Sequence, residues 1–447
     1  MASDGIAIQA FTGDEYVARL AAVRARMQEQ GLSALIVTDP ANIYYLTGYN
    51  AWSFYTPQMV FVPEEGEMVL YAREMDAHGA FRTSWLPPEN IVGYPESYIQ
   101  RPHVHPFDWV AYSMRRRQLV ARASRGCVGL EMDASFFTPK AYRALVNALP
   151  EWTLVDSFEL VNWVRAVKSP AEIDLMRKAA SVTTLAMQAA REAIDVGVRQ
   201  CDVAAAISAA QAAGSLDAGG DYPAIVPMLP TGESADTPHL TWNDDRLKKD
   251  QAVIVELAGA HRRYHVPMAR TFVPGRAPDH VQRLADAADH GLAAVLETVS
   301  AGVPVYDLAQ AWNLTLFEYG YEKPSRFGYS IGIGYPPDWG ERTISLRSED
   351  QTVLQENMTF HLICGMWMDG YGYEVSESIR VTATGVELFT SFGRGLLPAG
   401  DSGLEAVRTG QMPIVTDHGV APPRVVTVGD PAGLPAANDH LDTKDFE

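Results

Sequence analysis

A helix start at Ser169-Pro170-Ala171-Glu172 divides this chain in two and limits its fold more than any other feature. Ser169 can accept first-turn amides, Pro170 has the φ that turn needs, and Glu172 sits where its carboxylate reaches back to the cap. The predicted helix runs to about Val196, with Ile173, Met176, Ala180 and Leu185 on one side. Before it, a helix near Asp14–Gln30, stopped by Gly31, precedes the apolar runs Ala34–Thr38, Met59–Val62, Met68–Tyr71 and Val128–Glu131. This alternation reads as a small α/β domain over residues 1–161. Beyond it come a helix at Asp202–Gly214, strands at Val253–Leu257, Tyr264–Val273, Thr359–Cys364 and Tyr371–Thr382, and helices at Pro278–Ser300 and Val305–Tyr319. Strands grouped beside helices make residues 162–395 an α+β domain. Residues 396–447, with the Pro- and Gly-rich stretch Pro422–Pro435, read as an irregular tail.

A length of 447 residues and a 47% hydrophobic composition suit two domains with a large core. The net charge of -19 repels phosphate backbones and anionic lipid, so nucleic-acid and membrane partners are not expected. Cys127, Cys201 and Cys364 are far apart and lack CxxC spacing, which fits a reducing cytoplasm and no structural zinc. No run of about twenty apolar residues suits a bilayer crossing. The Gly328–Gly334 stretch lacks the Lys-Ser/Thr ending of a phosphate loop.

The string Arg165-Ala166-Val167-Lys168-Ser169-Pro170-Ala171-Glu172-Ile173, then Thr237-Pro238-His239, Arg270-Thr271-Phe272 and Gly328-Tyr329-Ser330-Ile331-Gly332, resembles the catalytic domain of the creatinase/aminopeptidase-P family. The resemblance implies a pita-bread catalytic domain preceded by a smaller α/β domain. Metallopeptidases of this family hold two ions with two Asp, one His and two Glu. Here Glu256 and Pro267 fall at the Asp places, Tyr329 at the His, and Ile363 at the first Glu, while Glu377 matches the last. Proline has no ligating side chain, so the expectation is a reaction with no metal or other cofactor. Ala269 stands where creatinase has a glutamate, which argues against creatine. The fuller resemblance is to bacterial ectoine hydrolases, through Trp52-Ser53-Phe54-Tyr55, Gly220-Asp221-Tyr222-Pro223, Arg262-Arg263-Tyr264-His265 and Tyr335-Pro336-Pro337-Asp338-Trp339-Gly340-Glu341-Arg342. It implies hydrolytic opening of a cyclic amidine, ectoine or its hydroxylated form, to N-acetylated diaminobutyrate. It also implies a homodimer in which one N-terminal domain covers the neighbouring site, with Trp52–Tyr55 acting in trans.

Glu256 ends the apolar run Val253-Ile254-Val255, where a carboxylate loses hydration and welcomes a cation. It could attack the amidinium carbon or serve as base on water, or else pair with Arg262 or Arg263 as part of the core. His239 is placed by resemblance to donate to substrate or shuttle a proton, against a plain surface histidine. His265 shares a strand face with Pro267 and could replace lost charge. Glu374 and Glu377 point to opposite faces of a regular strand, and Glu377 is expected to reach the pocket. Tyr329, Trp339, Asp338, Tyr222, Trp52 and Phe54 are candidate substrate contacts, the aromatics as walls for a delocalised cation. Arg326 or Arg342 would take the substrate carboxylate, and His361 reads as a core histidine. Rival functions are hydrolysis of another amidine, guanidine or N-acyl amino acid, and ligand binding without catalysis. A salvaged metal site of His239, His265, Glu256 and Glu377 is a further alternative.

Overall fold

The computed structural model describes residues 9–123 and 126–399. The first layer holds β1 (Ala34–Val37), β2 (Met59–Pro63), β3 (Val69–Arg73), β4 (Ile91–Tyr94), β5 (Cys127–Leu130) and β6 (Thr153–Asp156), in the order β4-β3-β2-β1-β5-β6. β2 is antiparallel to β1 and β3, and the outer pairings are parallel. Helices α1 (Gly13–Glu29), α2 (Pro40–Thr47), α3 (Glu74–Thr83), α4 (Pro106–Arg116) and α5 (Pro139–Ala148) flank it. A short α6 (Leu160–Arg165) leads to α7 (Pro170–Ala193), whose Ser169–Glu172 capping box forms in full.

After α7 come α8 (Gln200–Ala213), β7 (Val253–His261), β8 (Tyr264–Val273), α9 (Asp279–Thr298), α10 (Val305–Glu318), β9 (Gly328–Tyr335) and β10 (Asp338–Ser345). They are followed by β11 (Thr359–Met368), β12 (Tyr371–Thr382), β13 (Gly385–Leu388) and β14 (Leu396–Pro398). The strands form a curved sheet in the order β13-β12-β11-β9-β8-β14, with β10 on β9 and β7 on β8. α7 and α8 cover the outside of β7 and β8, while α9 and α10 pack beneath β11 and β12. The face without helices is free to hold a site.

The close fit of α7 depends on Gly259. A side chain there would collide with the Ala179 carbonyl and the Thr183 amide, while Thr183 Oγ1 accepts the Gly259 N–H at 3.0 Å. Gly259→Ala should therefore cost about 1–3 kcal/mol by overpacking, read as a lower thermal midpoint.

β10 is strand despite its broken alternation, because bulges at Gly340 let it follow β9. The chain from residue 396, expected to be irregular, opens with β14, which pairs in parallel with β8. Residues 400–447, and the expectation for Pro422–Pro435, lie outside the described residues. All three cysteines are free, and no described helix is long and apolar enough to cross a membrane.

Candidate active site

Strand alternation decides which side chains reach the helix-free face. Glu256 lies opposite Ala269, and Ala258 opposite Pro267, so these four share one face of the β7–β8 pair. Ser376 Oγ on β12 accepts the Ala269 N–H at 2.6 Å and lies 2.7 Å from His361 Nε2, which brings β11 and β12 to the same face. His361 Nδ1 is 3.0 Å from the Tyr329 hydroxyl, which also accepts from Trp339 Nε1 at 2.8 Å. Glu256, Tyr329, Trp339, His361 and Ser376 thus gather on the helix-free face.

The Glu256 carboxyl is buried and takes no hydrogen bond among the described residues. Burial, reinforced by the carboxyls of Glu374 and Asp338, holds it well above the usual carboxyl range. The expected alternative, an ion pair with Arg262 or Arg263, does not form. Those residues make the two-residue β7–β8 turn with φ of 49° and 65°, strained for non-glycine residues. Contacts hold Arg263 there: its N–H donates to Asp221 at 2.8 Å, and its guanidinium donates to the Tyr222 and Gly334 carbonyls at 2.6 Å each.

Hydrogen positions follow from satisfying each donor. If Ser376 donates to His361 Nε2, the proton of His361 sits on Nδ1 and goes to the Tyr329 oxygen. Tyr329, accepting twice, then has its own O–H left to donate. The opposite tautomer strands the Ser376 proton. Burial drives His361 down to about 3, so the ring is neutral at working pH. Burial and the nearby Glu256 charge keep Tyr329 protonated.

Two sequence expectations need correction. Glu377 is turned to the other face, where its carboxylate meets Arg270 and Arg394 at 2.8 Å each. Register explains this: Glu377 lies opposite Leu362, a core residue, whereas Ser376 and Glu374 lie opposite Ile363 and Gly365 on the helix-free face. His265 does not replace the lost charge: burial holds its ring well below the usual histidine range, and both ring nitrogens serve the backbone. Nε2 accepts from the Ala224 N–H at 2.9 Å, and Nδ1 donates to the Arg263 carbonyl at 2.8 Å. Gly334 gives it room, since a Cβ there would stand 2.9 Å from Nδ1. His265 therefore braces the loop that carries Tyr222.

The other candidates scatter. His239 is exposed in a loop beside Leu240, whose carbonyl accepts the Leu229 N–H at 3.1 Å, and no hydrogen bond links it to Glu256 among the described residues. Trp52 packs edge-on to Tyr222 at 4.6 Å and against Phe54 at 5.1 Å, forming an aromatic cluster at the hairpin tip with Arg263 3.9 Å over Tyr222. Asp338 is exposed at the start of β10, where its Oδ1 accepts the Gly340 N–H. Arg342 is engaged by Asp39 and Asp133, whereas Arg326 stands 4.5 Å over the Tyr329 ring. Two hollows open elsewhere, about 60 Å³ at the domain junction by Asp39 and Arg165 and about 230 Å³ in the N-terminal layer. Neither has Glu256 on its wall, so the site is assigned on its chemistry.

A model of the creatinase/prolidase N-terminal domain matches residues 19–167, and one of metallopeptidase family M24 matches residues 174–383. Among curated proteins, the ectoine hydrolase of Halomonas elongata is 43% identical, over 86% of this chain and 98% of its own. An uncharacterized hydrolase/peptidase of Sinorhizobium fredii is 41% identical over 87% of this chain and 98% of its own. Among solved structures, the prolidase of Pyrococcus horikoshii superposes with a TM-score of 0.71 at 19% identity, covering 85% of this chain and all of that one. The dipeptidase PepE of Mycobacterium ulcerans gives 0.71 at 20%, over 88% and 100%.

The family implies metal, but these residues do not fit a two-ion site. The family's ligand places carry Glu256, Pro267, Tyr329, Ile363 and the outward Glu377, so one inward carboxylate stands at them where several hard donors are needed; Glu374, also inward, stands at none of these places. Among the described residues no three of His, Cys, Asp and Glu are grouped to hold an ion. With its two domain matches and a relative 43% identical along nearly its whole length, the chain belongs to the creatinase/aminopeptidase-P family of hydrolases acting on carbon–nitrogen bonds.

Proposed function

We propose that this protein hydrolyses ectoine, opening its cyclic amidine to N-acetyl-2,4-diaminobutyrate without a metal ion. One observation carries the reading: Glu256 is a buried carboxyl on the helix-free face with no hydrogen bond among the described residues, in a chain 43% identical to a protein named ectoine hydrolase. An amidinium supplies the missing partner, since its charge offsets the desolvation of Glu256 and its carbon is electrophilic between two nitrogens. Glu256 either bonds to that carbon or takes a proton from the water that does. Water supplies the acetyl oxygen, one ring C–N bond breaks, and the freed nitrogen takes up the proton. Tyr329 donates to the developing adduct, Trp339 fixes the Tyr329 hydroxyl, and Arg326 receives the substrate carboxylate. In a homodimer, a second copy would cover the exposed Trp52.

Ectoine incubated with the protein should yield N-acetyl-2,4-diaminobutyrate by mass spectrometry, at a rate unchanged after dialysis against a chelator. Absence of product would remove the substrate assignment. Activity lost to chelation and restored by one divalent metal would remove the metal-free mechanism.

A further inference from the structure

We infer that Glu374 is a positioning residue for Glu256: the two buried carboxyls hold one proton between them in the free protein and release it when a cationic amidine enters. This rests on the reading of Glu256 given above. Glu374 shares the helix-free face with Ser376, is 0% exposed, and among the described residues has no hydrogen-bond partner for either carboxyl oxygen. The nearby donors are committed elsewhere. Thr271 Oγ1 donates to the Glu374 carbonyl at 2.9 Å, and Lys323 Nζ donates to the Gly365 carbonyl at 2.5 Å while lying 4.2 Å over Trp367. A buried carboxylate without hydrogen bonds is costly, so Glu374 resists ionisation.

Burial pushes Glu374 up to about 7, opposed by Lys323, and Glu374 in turn helps raise Glu256. Like charges buried on one face cannot both ionise cheaply, so the pair titrates as a unit. The other groups facing it are Lys323 ahead of β9, Tyr329 on β9, Asp338 on β10 and His361 on β11, with Arg326 over Tyr329. Tyr329 and His361 stay neutral. Lys323, brought down to about 8 by burial, is the competing proton source. A bound amidinium lowers the cost of the second negative charge, and the shared proton leaves to solvent. Ring opening takes up no net proton, so release on binding stands apart from turnover.

The test is stopped-flow mixing of the full-length protein with ectoine and a pH indicator near neutral pH. Wild type should show a burst of up to about one proton per site before turnover. Glu374→Gln should shrink the burst to what burial alone keeps on Glu256, and the acidic limb of its kcat/KM profile should move to lower pH. Turnover in wild type without a burst would overturn the inference, as would a burst undiminished in Glu374→Gln that vanishes in Lys323→Met. Infrared titration of the ligand-free protein gives a reading independent of substrate. It should show a protonated-carboxyl band that ionises near neutrality in wild type and is diminished in Glu374→Gln, and absence of that band in wild type would refute the pair. If the band is present but ectoine is neither bound nor hydrolysed, the substrate reading fails while the carboxyl pair stands.

Discussion

Glu256→Gln is expected to lower kcat for ectoine by on the order of 10²–10⁴-fold with the fold intact. Glutamine keeps the shape of the side chain but can neither bond to the amidinium carbon nor take a proton from water. The fold should survive because the native carboxyl has no hydrogen bond to lose among the described residues. A neutral amide also spares the protein the cost of a buried charge, so the thermal midpoint should stay level or rise. Steady-state kinetics with a melting curve separates chemistry from folding. A kcat within about tenfold of wild type would take Glu256 out of the reaction. A normal kcat with a raised KM alone would leave it a binding group.

Glu256 is legible in the sequence because two signals agree: an acidic residue closes a β-branched run, and the family resemblance, counted back from Arg270-Thr271, puts Glu256 at a ligand place. Glu377 failed for the opposite reason. Glu374 and Glu377 are correctly read as facing opposite sides, but the choice of the inward one depends on the pairing with β11, which local pattern does not contain. His265 was placed on the right face, yet its role depends on the Ala224 amide, 41 positions away. The fold followed the same division. The α7 capping box is local and formed as read, whereas the short strands β6, β10 and β14 exist through their partners.

The junction between the two layers was least legible, and it carries the largest expected stability effect. Glu341 is buried against two cations: Lys168 Nζ lies 2.6 Å from one oxygen and Arg165 3.5 Å from the other, all three side chains being at most 2% exposed. Arg165 also donates to Asn42 at 2.6 Å, and Asn42 donates to Glu131 and Asn162 at 2.6 Å each, so the network joins α2 to α6 and β10. Glu341→Ala leaves two buried cations without their carboxylate and should cost about 3–5 kcal/mol. Lys168 gives this loss a pH signature. Burial already lowers its pKa from 10.5, and Glu341 is what chiefly opposes that. In the variant, folded Lys168 binds its proton more weakly than unfolded Lys168, so the unfolded state holds more protons and stability rises with pH up to the ordinary lysine value. The deficit measured by urea denaturation should therefore be largest near neutrality and shrink toward pH 10. Lys168→Met in the same background should recover part of it by removing one unpaired charge. A midpoint equal to wild type, or a deficit that grows with pH, would show that the charges at this junction are solvated and do not hold the layers together.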